Sequence, residues 1–134
     1  MALLRDYDSR DYLFGRLLAV ADYLETQVLK NAEKNRLSNA MRLMTHFAAH
    51  PASTWPLLHQ KIQPYSDRFC ADDHGCWIEM QKLFQEIHNL FKPEEFDSNQ
   101  PLKGEYLLGF YCQRADFYRK KDTSPEQTNL PDQN

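Results

Sequence analysis

Residues 106–121 read YLLGFYCQRADFYRKK, and they decide how the chain is read. The run has no proline, one glycine and apolar residues at helical spacing, so it predicts a helix; a helix this rich in rings needs other helices to cover it. On a wheel of about 100° per residue, Tyr106, Leu107, Phe110, Tyr111, Phe117 and Tyr118 spread over one broad arc. Arg114 lands near the middle of that arc, with Lys121 beside it, while Glu105, Asp116 and Lys120 take the far side. A charge on an apolar face costs several kcal/mol if desolvated and unpaired. Arg114 therefore has three possible fates: a buried carboxylate or helix-end carbonyls, a seam between helices from which it snorkels outward, or a partner on another molecule. Arg119, Lys120 and Lys121 suit the negative end of the helix dipole, worth about 0.3–1 kcal/mol. The dipole does not explain the density of rings around them.

The same periodicity extends outward. Asp8 or Ser9 caps a first helix to about residue 30, with Leu13, Leu17, Val20, Ala21, Leu24 and Val28 as its core stripe. Tyr12, Arg16, Tyr23 and Gln27 form an aromatic-basic flank, and Asp11 and Asp22 an acidic one. A second helix is expected over 38–49, with Asn39, Arg42, His46 and His50 on a face that is either solvated or docked. His50-Pro51 ends it, because a residue before proline avoids the α region. Ser53 or Thr54 opens a third helix, expected to kink or split at Pro64. Asp73 caps a fourth over 74–91, and the last runs over 101–121. The reading is an all-α, compact bundle of about five helices over residues 1–121, followed by a disordered polar tail, 122–134.

Composition narrows the function classes. The 134 residues suit one domain; 42% are hydrophobic and 13% aromatic, so either the core or an interface is rich in rings. The net charge of −3 argues against a free-standing non-specific nucleic-acid binder, so contact with a polyanion must come from local patches. Two such patches are visible. Lys30, Lys34, Arg36 and Arg42 outnumber Glu33, and Arg114, Arg119, Lys120 and Lys121 outnumber Asp116. Neither a secretory signal nor a spanning apolar run is seen, so a cytoplasmic location and free thiols at Cys70, Cys76 and Cys112 are expected.

The other constellations are weaker. Cys70, His74 and Cys76, beside Asp72 and Asp73, invite a zinc reading, but C-x₅-C with one histidine departs from usual structural spacing, and no metal is expected. His46, His50 and His59 have no nucleophile or paired carboxylate tied to them by spacing. Tyr7, Tyr12 and Tyr23 with Arg16 either stack bases or pack on helices. No phosphate loop, Walker motif or nucleophile elbow is present, so neither catalysis nor a cofactor is expected.

Three segments carry a resemblance. DYLFGRLLAVADYLE (11–25), HPASTWP (50–56) and GEYLLGFYCQRADFYRKK (104–121) resemble, in order and spacing, the C-terminal helical module of the large subunit of type I-C CRISPR effector complexes. That module is also made as a free small subunit from an internal start site, and Met1 just before the opening segment matches such a product. Cys112 departs from the family's usual histidine, and the segment Pro64–Gly75 has no counterpart in the pattern. The resemblance implies a non-enzymatic subunit that packs against other copies of itself and against backbone and large subunits. It would help hold the R-loop open by giving the displaced non-target strand a basic track, while guide pairing reads sequence. Candidate contacts to nucleic acid or to neighbouring subunits are Arg36, Arg42, Arg114, Arg119, Lys120 and Lys121, with Arg16 a weaker one. The rival classes are an adaptor bundle that never touches nucleic acid and a small zinc enzyme built on Cys70, His74 and Cys76.

Overall fold

A computed structural model describes residues 2–29 and 37–126, with side chains as far as Arg119. Six helices follow in order: α1 (Arg10–Leu29), α2 (Asn39–Arg42), α3 (Met44–Ala49), α4 (Pro51–Asp72), α5 (His74–Leu90) and α6 (Gly104–Glu126). No strand occurs among the described residues, as the helical periodicity predicts.

α1 is the axis of the bundle. Every residue from Tyr12 to Asp22 is buried, including Arg16 and Asp22 from the two expected flanks, because α2, α4, α5 and α6 all pack on it. The closest of these neighbours is α6. The two helices run parallel: Ser9 meets Glu105, Arg16 meets Gln113, and Tyr23 stacks on Phe117 with ring centroids 4.1 Å apart. Gly15 lies against the backbone of Tyr106 and Phe110, and Gly109 against that of Tyr12. Neither position has room for a Cβ, so the two glycines set the distance between the helices.

Phe14 anchors an aromatic core, one of the two places that the composition allows for the rings. It touches the rings of Phe47 from α3 and of Phe91 and Phe96 from the α5–α6 connection. Tyr106 stacks on Phe47 and donates its hydroxyl to the Met44 carbonyl at 2.9 Å, which ties α6 to α3. Burial pushes its phenol far up.

Several boundaries differ from expectation. The second helix is interrupted at Leu43 (φ −96°, ψ 3°) into α2 and α3. Two buried acids hold its start: the Ser38 hydroxyl donates to Asp22, and the Asn39 amide donates to Glu25 at 2.9 Å. α4 begins at Pro51 itself, where a missing N–H costs nothing, and it runs unbroken through Pro64. The ring at Pro64 removes the N–H that the Gln60 carbonyl would accept from, but both residues are exposed, so the carbonyl is open to solvent. Asp73 caps α5 as expected, accepting from the Cys76 amide at 3.2 Å. α6 continues past the expected end at Lys121 to Glu126, and the rest of the tail lies outside the described residues.

The long α5–α6 connection is pinned by Arg10. Its guanidinium donates to the carbonyls of Glu95, Ser98 and Gln100 at 3.3, 2.9 and 2.8 Å, and lies 5.3 Å from the Phe14 ring centroid. Asp11 completes the clamp by accepting from the Lys103 amide at 2.9 Å.

Candidate nucleic-acid and subunit interface

The structure separates the seven cations that the sequence singles out. Arg42, on α2, and Arg114 and Arg119, on α6, are exposed. Among the described residues, Arg42 and Arg114 have no ion pair. Arg36 lies outside the described residues, as do the side chains of Lys120 and Lys121.

Arg16 corrects the sequence reading, because it points into the bundle. It is 2% exposed. Its Nε donates to Gln113 Oε1 at 2.8 Å, and one terminal nitrogen donates to the Arg5 carbonyl at 3.2 Å. Burial pushes the guanidinium down from its ordinary range, with the Tyr12 phenol working the other way. A group so enclosed does not meet a nucleic-acid strand at this surface; its work is to join α1, α6 and the N-terminal segment.

Arg114 is the second correction. The buried side of α6 is Tyr106, Gly109, Phe110, Cys112, Gln113 and Phe117, not the broad arc of rings. A glycine and a glutamine face inward because α1 comes so close there. The displaced side chains, Leu107, Tyr111, Arg114 and Tyr118, form a separate stripe at i, i+4, i+7 and i+11. Leu107 is 47% and Tyr111 54% exposed, and Tyr118 is half-buried against Tyr23. Of the three fates open to Arg114, burial against a carboxylate is therefore excluded. Its neighbours are an exposed ring and an exposed leucine, which makes the stripe both apolar and positive.

The groove next to this helix has different chemistry. A cavity of about 550 Å³ is lined by Tyr23 from α1, Glu79, Lys82 and Glu86 from α5, Asp116 from α6, and Arg5. Arg5 already pairs with Asp116 at 2.9 Å. Three carboxylates against two cations make the groove unsuited to a phosphate backbone. The stripe on α6, rather than this groove, is the surface that is exposed, aromatic and positive together.

On the second expected face, Arg42, His46 and His50 remain exposed, whereas Asn39 turns inward to Glu25. The break at Leu43 divides that face, so its four polar groups do not form one continuous stripe. Of the candidate metal ligands, Cys70 and His74 are adjacent, but no group of three ligand side chains converges among the described residues.

Residues 1–118 match the family model of the CRISPR-associated protein (Cas_Csd1). The chain belongs to this family. It is thus a type I-C CRISPR-associated protein, in agreement with the resemblance carried by residues 11–25, 50–56 and 104–121. The Cas_Csd1 match takes in α1 to α5 and α6 as far as Tyr118, so the stripe on α6 falls inside it. No curated protein matches the chain. No helix among the described residues is long and apolar enough to cross a membrane.

Sequence reasoning missed Arg10, whose three carbonyl bonds organise the loop that leads into α6. Its signal in the sequence is slight: Arg10 and Asp11 are adjacent charges at the start of the first helix. It also missed Gly15 and Gly109, which stand at matching places in LFGRL and LLGFY.

Proposed function

We propose that this chain is a non-catalytic small subunit of a type I-C CRISPR RNA-guided surveillance complex in the cytoplasm. In this reading it packs against other copies of itself and against the backbone and large subunits. It steadies the R-loop by contact with the displaced non-target strand, without reading sequence. The observation that carries this reading is the stripe of exposed Leu107, Tyr111 and Arg114 with half-buried Tyr118, within the segment that matches Cas_Csd1. A single strand is held by rings that stack on bases and cations that track phosphates. One or two cations suffice when neighbouring subunits pin the site beside the strand, because effective concentration then replaces intrinsic affinity. The net charge of −3 fits a protein that binds only when so placed.

The test is the affinity of the assembled complex for target DNA, with and without this chain, across a salt series. Loss of the chain should weaken binding and flatten the dependence of log K on log salt. Equal slopes with and without it would reject strand contact.

An adaptor that touches only protein is the second reading. Leu107 and Tyr111 favour it, since exposed apolar residues on one stripe equally suit a neighbouring subunit. In that case removal of the chain disrupts assembly and leaves the salt slope of the remaining complex unchanged. The origin of the chain as an internally initiated product of a longer gene is part of the proposal. It is tested by locating an in-frame start within the coding sequence of the large subunit.

A further inference from the structure

The corner between α4 and α5 holds a reactive pair that the proposed function leaves unused. Cys70 Sγ lies 3.4 Å from His74 Nδ1, close enough for a proton to pass between thiol and imidazole. The imidazole is held in place. It stacks on the Trp77 indole, with centroids 5.7 Å apart and planes 21° from parallel. Trp77 Nε1 in turn donates to Ser66 Oγ at 2.9 Å, and Ser66 is buried on α4. A chain of contacts therefore runs from a buried hydroxyl through the indole to the imidazole, and it fixes the ring beside the sulfur.

Access is open as well. Cys70 is partly exposed and His74 is exposed, so a small molecule reaches the sulfur. Cys76, in the first turn of α5, has similar access but the opposite surroundings. Burial pushes its thiol up, and Asp73 and Glu79 add to the effect. Cys112 is buried in α6. One chain thus offers a thiol beside a base, a thiol beside carboxylates and an enclosed thiol. Nucleophilicity follows thiolate character and access, so the three should react in that order.

We propose that Cys70 is a site of reversible S-thiolation by low-molecular-weight disulfides, with His74 as the group that accepts its proton. In the step, His74 Nδ1 takes the thiol proton and Cys70 Sγ attacks one sulfur of the disulfide RSSR. The new Cys70–S–S–R bond forms as the R–S–S–R bond breaks, and the departing thiolate leaves with the electron pair. It then takes the proton from His74 and becomes RSH. One disulfide is consumed and one is made, so no further oxidant is needed.

The test uses the full chain, native, with 5,5′-dithiobis(2-nitrobenzoate) as the disulfide and peptide mass mapping to assign each adduct. Cys70 should react at least about tenfold faster than Cys76, a ratio set by the neighbouring base rather than by access. His74→Gln should lower the Cys70 rate to that of Cys76, with an unchanged thermal melt showing that the fold is kept. Oxidised glutathione should place its adduct on Cys70 first, and dithiothreitol should remove it. Equal rates at Cys70 and Cys76 in the unaltered chain would overturn the proposal, and that ratio stays readable even if the variant fails to fold. An unchanged ratio in a folded His74→Gln variant would overturn it too.

Discussion

Gly15 and Gly109 bring α1 and α6 together by the same means: each lies against the other helix's backbone. A Cβ on Gly15 would stand 2.0 Å from the Tyr106 carbonyl oxygen, and one on Gly109 would stand 2.1 Å from that of Tyr12. Backbone atoms in a helix cannot step aside as a flexible side chain can. Gly15→Ala and Gly109→Ala should therefore each cost about 3 kcal/mol or more, at or above the upper end of ordinary overpacking. Gly75 is the control. It lies in α5 with nothing within 4 Å of a built Cβ, so Gly75→Ala should stabilise by about 0.5–1 kcal/mol. Urea midpoints read all three, provided the slope of the transition is unchanged.

Arg16 and Gln113 make the second prediction. Both are buried, the bond between them is 2.8 Å, and the Gln113 amide nitrogen has no hydrogen-bond partner among the described residues. The pair is thus a desolvated cation held by neutral acceptors. Arg16→Met strips Gln113 Oε1 of its donor and should cost about 1–3 kcal/mol. Adding Gln113→Leu removes the stranded amide altogether. The double variant should recover most of the loss, as apolar replacement of buried polar pairs commonly does. A double-mutant cycle by chemical denaturation measures the coupling, and a double variant no more stable than Arg16→Met would count against this account.

The N-terminal segment gives a pH dependence. Ser9 and then Tyr7 donate hydrogen bonds to Glu105 and hold its carboxyl below the usual range, with burial opposing weakly. A carboxyl whose folded value lies below its unfolded value contributes stability above its ordinary pKa of about 4.3, and loses it as pH falls through the lower folded value. The Tyr7 phenol is raised, chiefly by its bond to Glu105. Its contribution is present below the ordinary phenol range and is lost as pH rises through the raised value. Stability should therefore fall at both ends, and Glu105→Gln should flatten both arms. Glu105 and Tyr7 are at the surface, so the change is small; acid and base titrations of the melting temperature resolve it.

How much of this is written in the sequence can be judged at α6. Its existence and helical neighbours follow from periodicity, as does most of the buried stripe of α1, and the Asp73 cap follows from residue type; the bounds of α6, 104–126 rather than 101–121, do not. The inward face of α6 does not. A wheel that ranks residues by hydropathy points Leu107, Tyr111 and Tyr118 inward and leaves Gly109 and Gln113 unassigned. The actual orientation is set by where α1 can approach, and that depends on two glycines far apart in the chain. The wheel misplaces Arg16 for a related reason: a helix central to the bundle has no outward flank, and centrality is a property of the whole assembly of helices. Pro64 leaves its helix intact because the cost of the ring depends on whether water reaches the freed carbonyl, which is again a tertiary fact.

The same stripe separates the two functional readings. If Tyr111 stacks on a base, Tyr111→Ala should weaken target-DNA binding by the assembled complex by about 1–3 kcal/mol per stacked base, and leave the salt slope nearly intact. If Arg114 meets a phosphate, Arg114→Glu should weaken binding and also reduce the slope by about 0.7 for each single-strand phosphate no longer neutralised. A weaker affinity at one position without a change in slope, and a weaker affinity with a change at the other, is a signature that general damage to the complex does not produce. If the stripe docks on protein, both variants should lower the amount of chain retained in the purified complex, and the residual complex should keep its slope. Arg16→Met, which alters stability from within the bundle, serves as the reference. It should reduce the melting temperature while leaving the DNA affinity of intact complex unchanged, because its guanidinium is enclosed between α1 and α6.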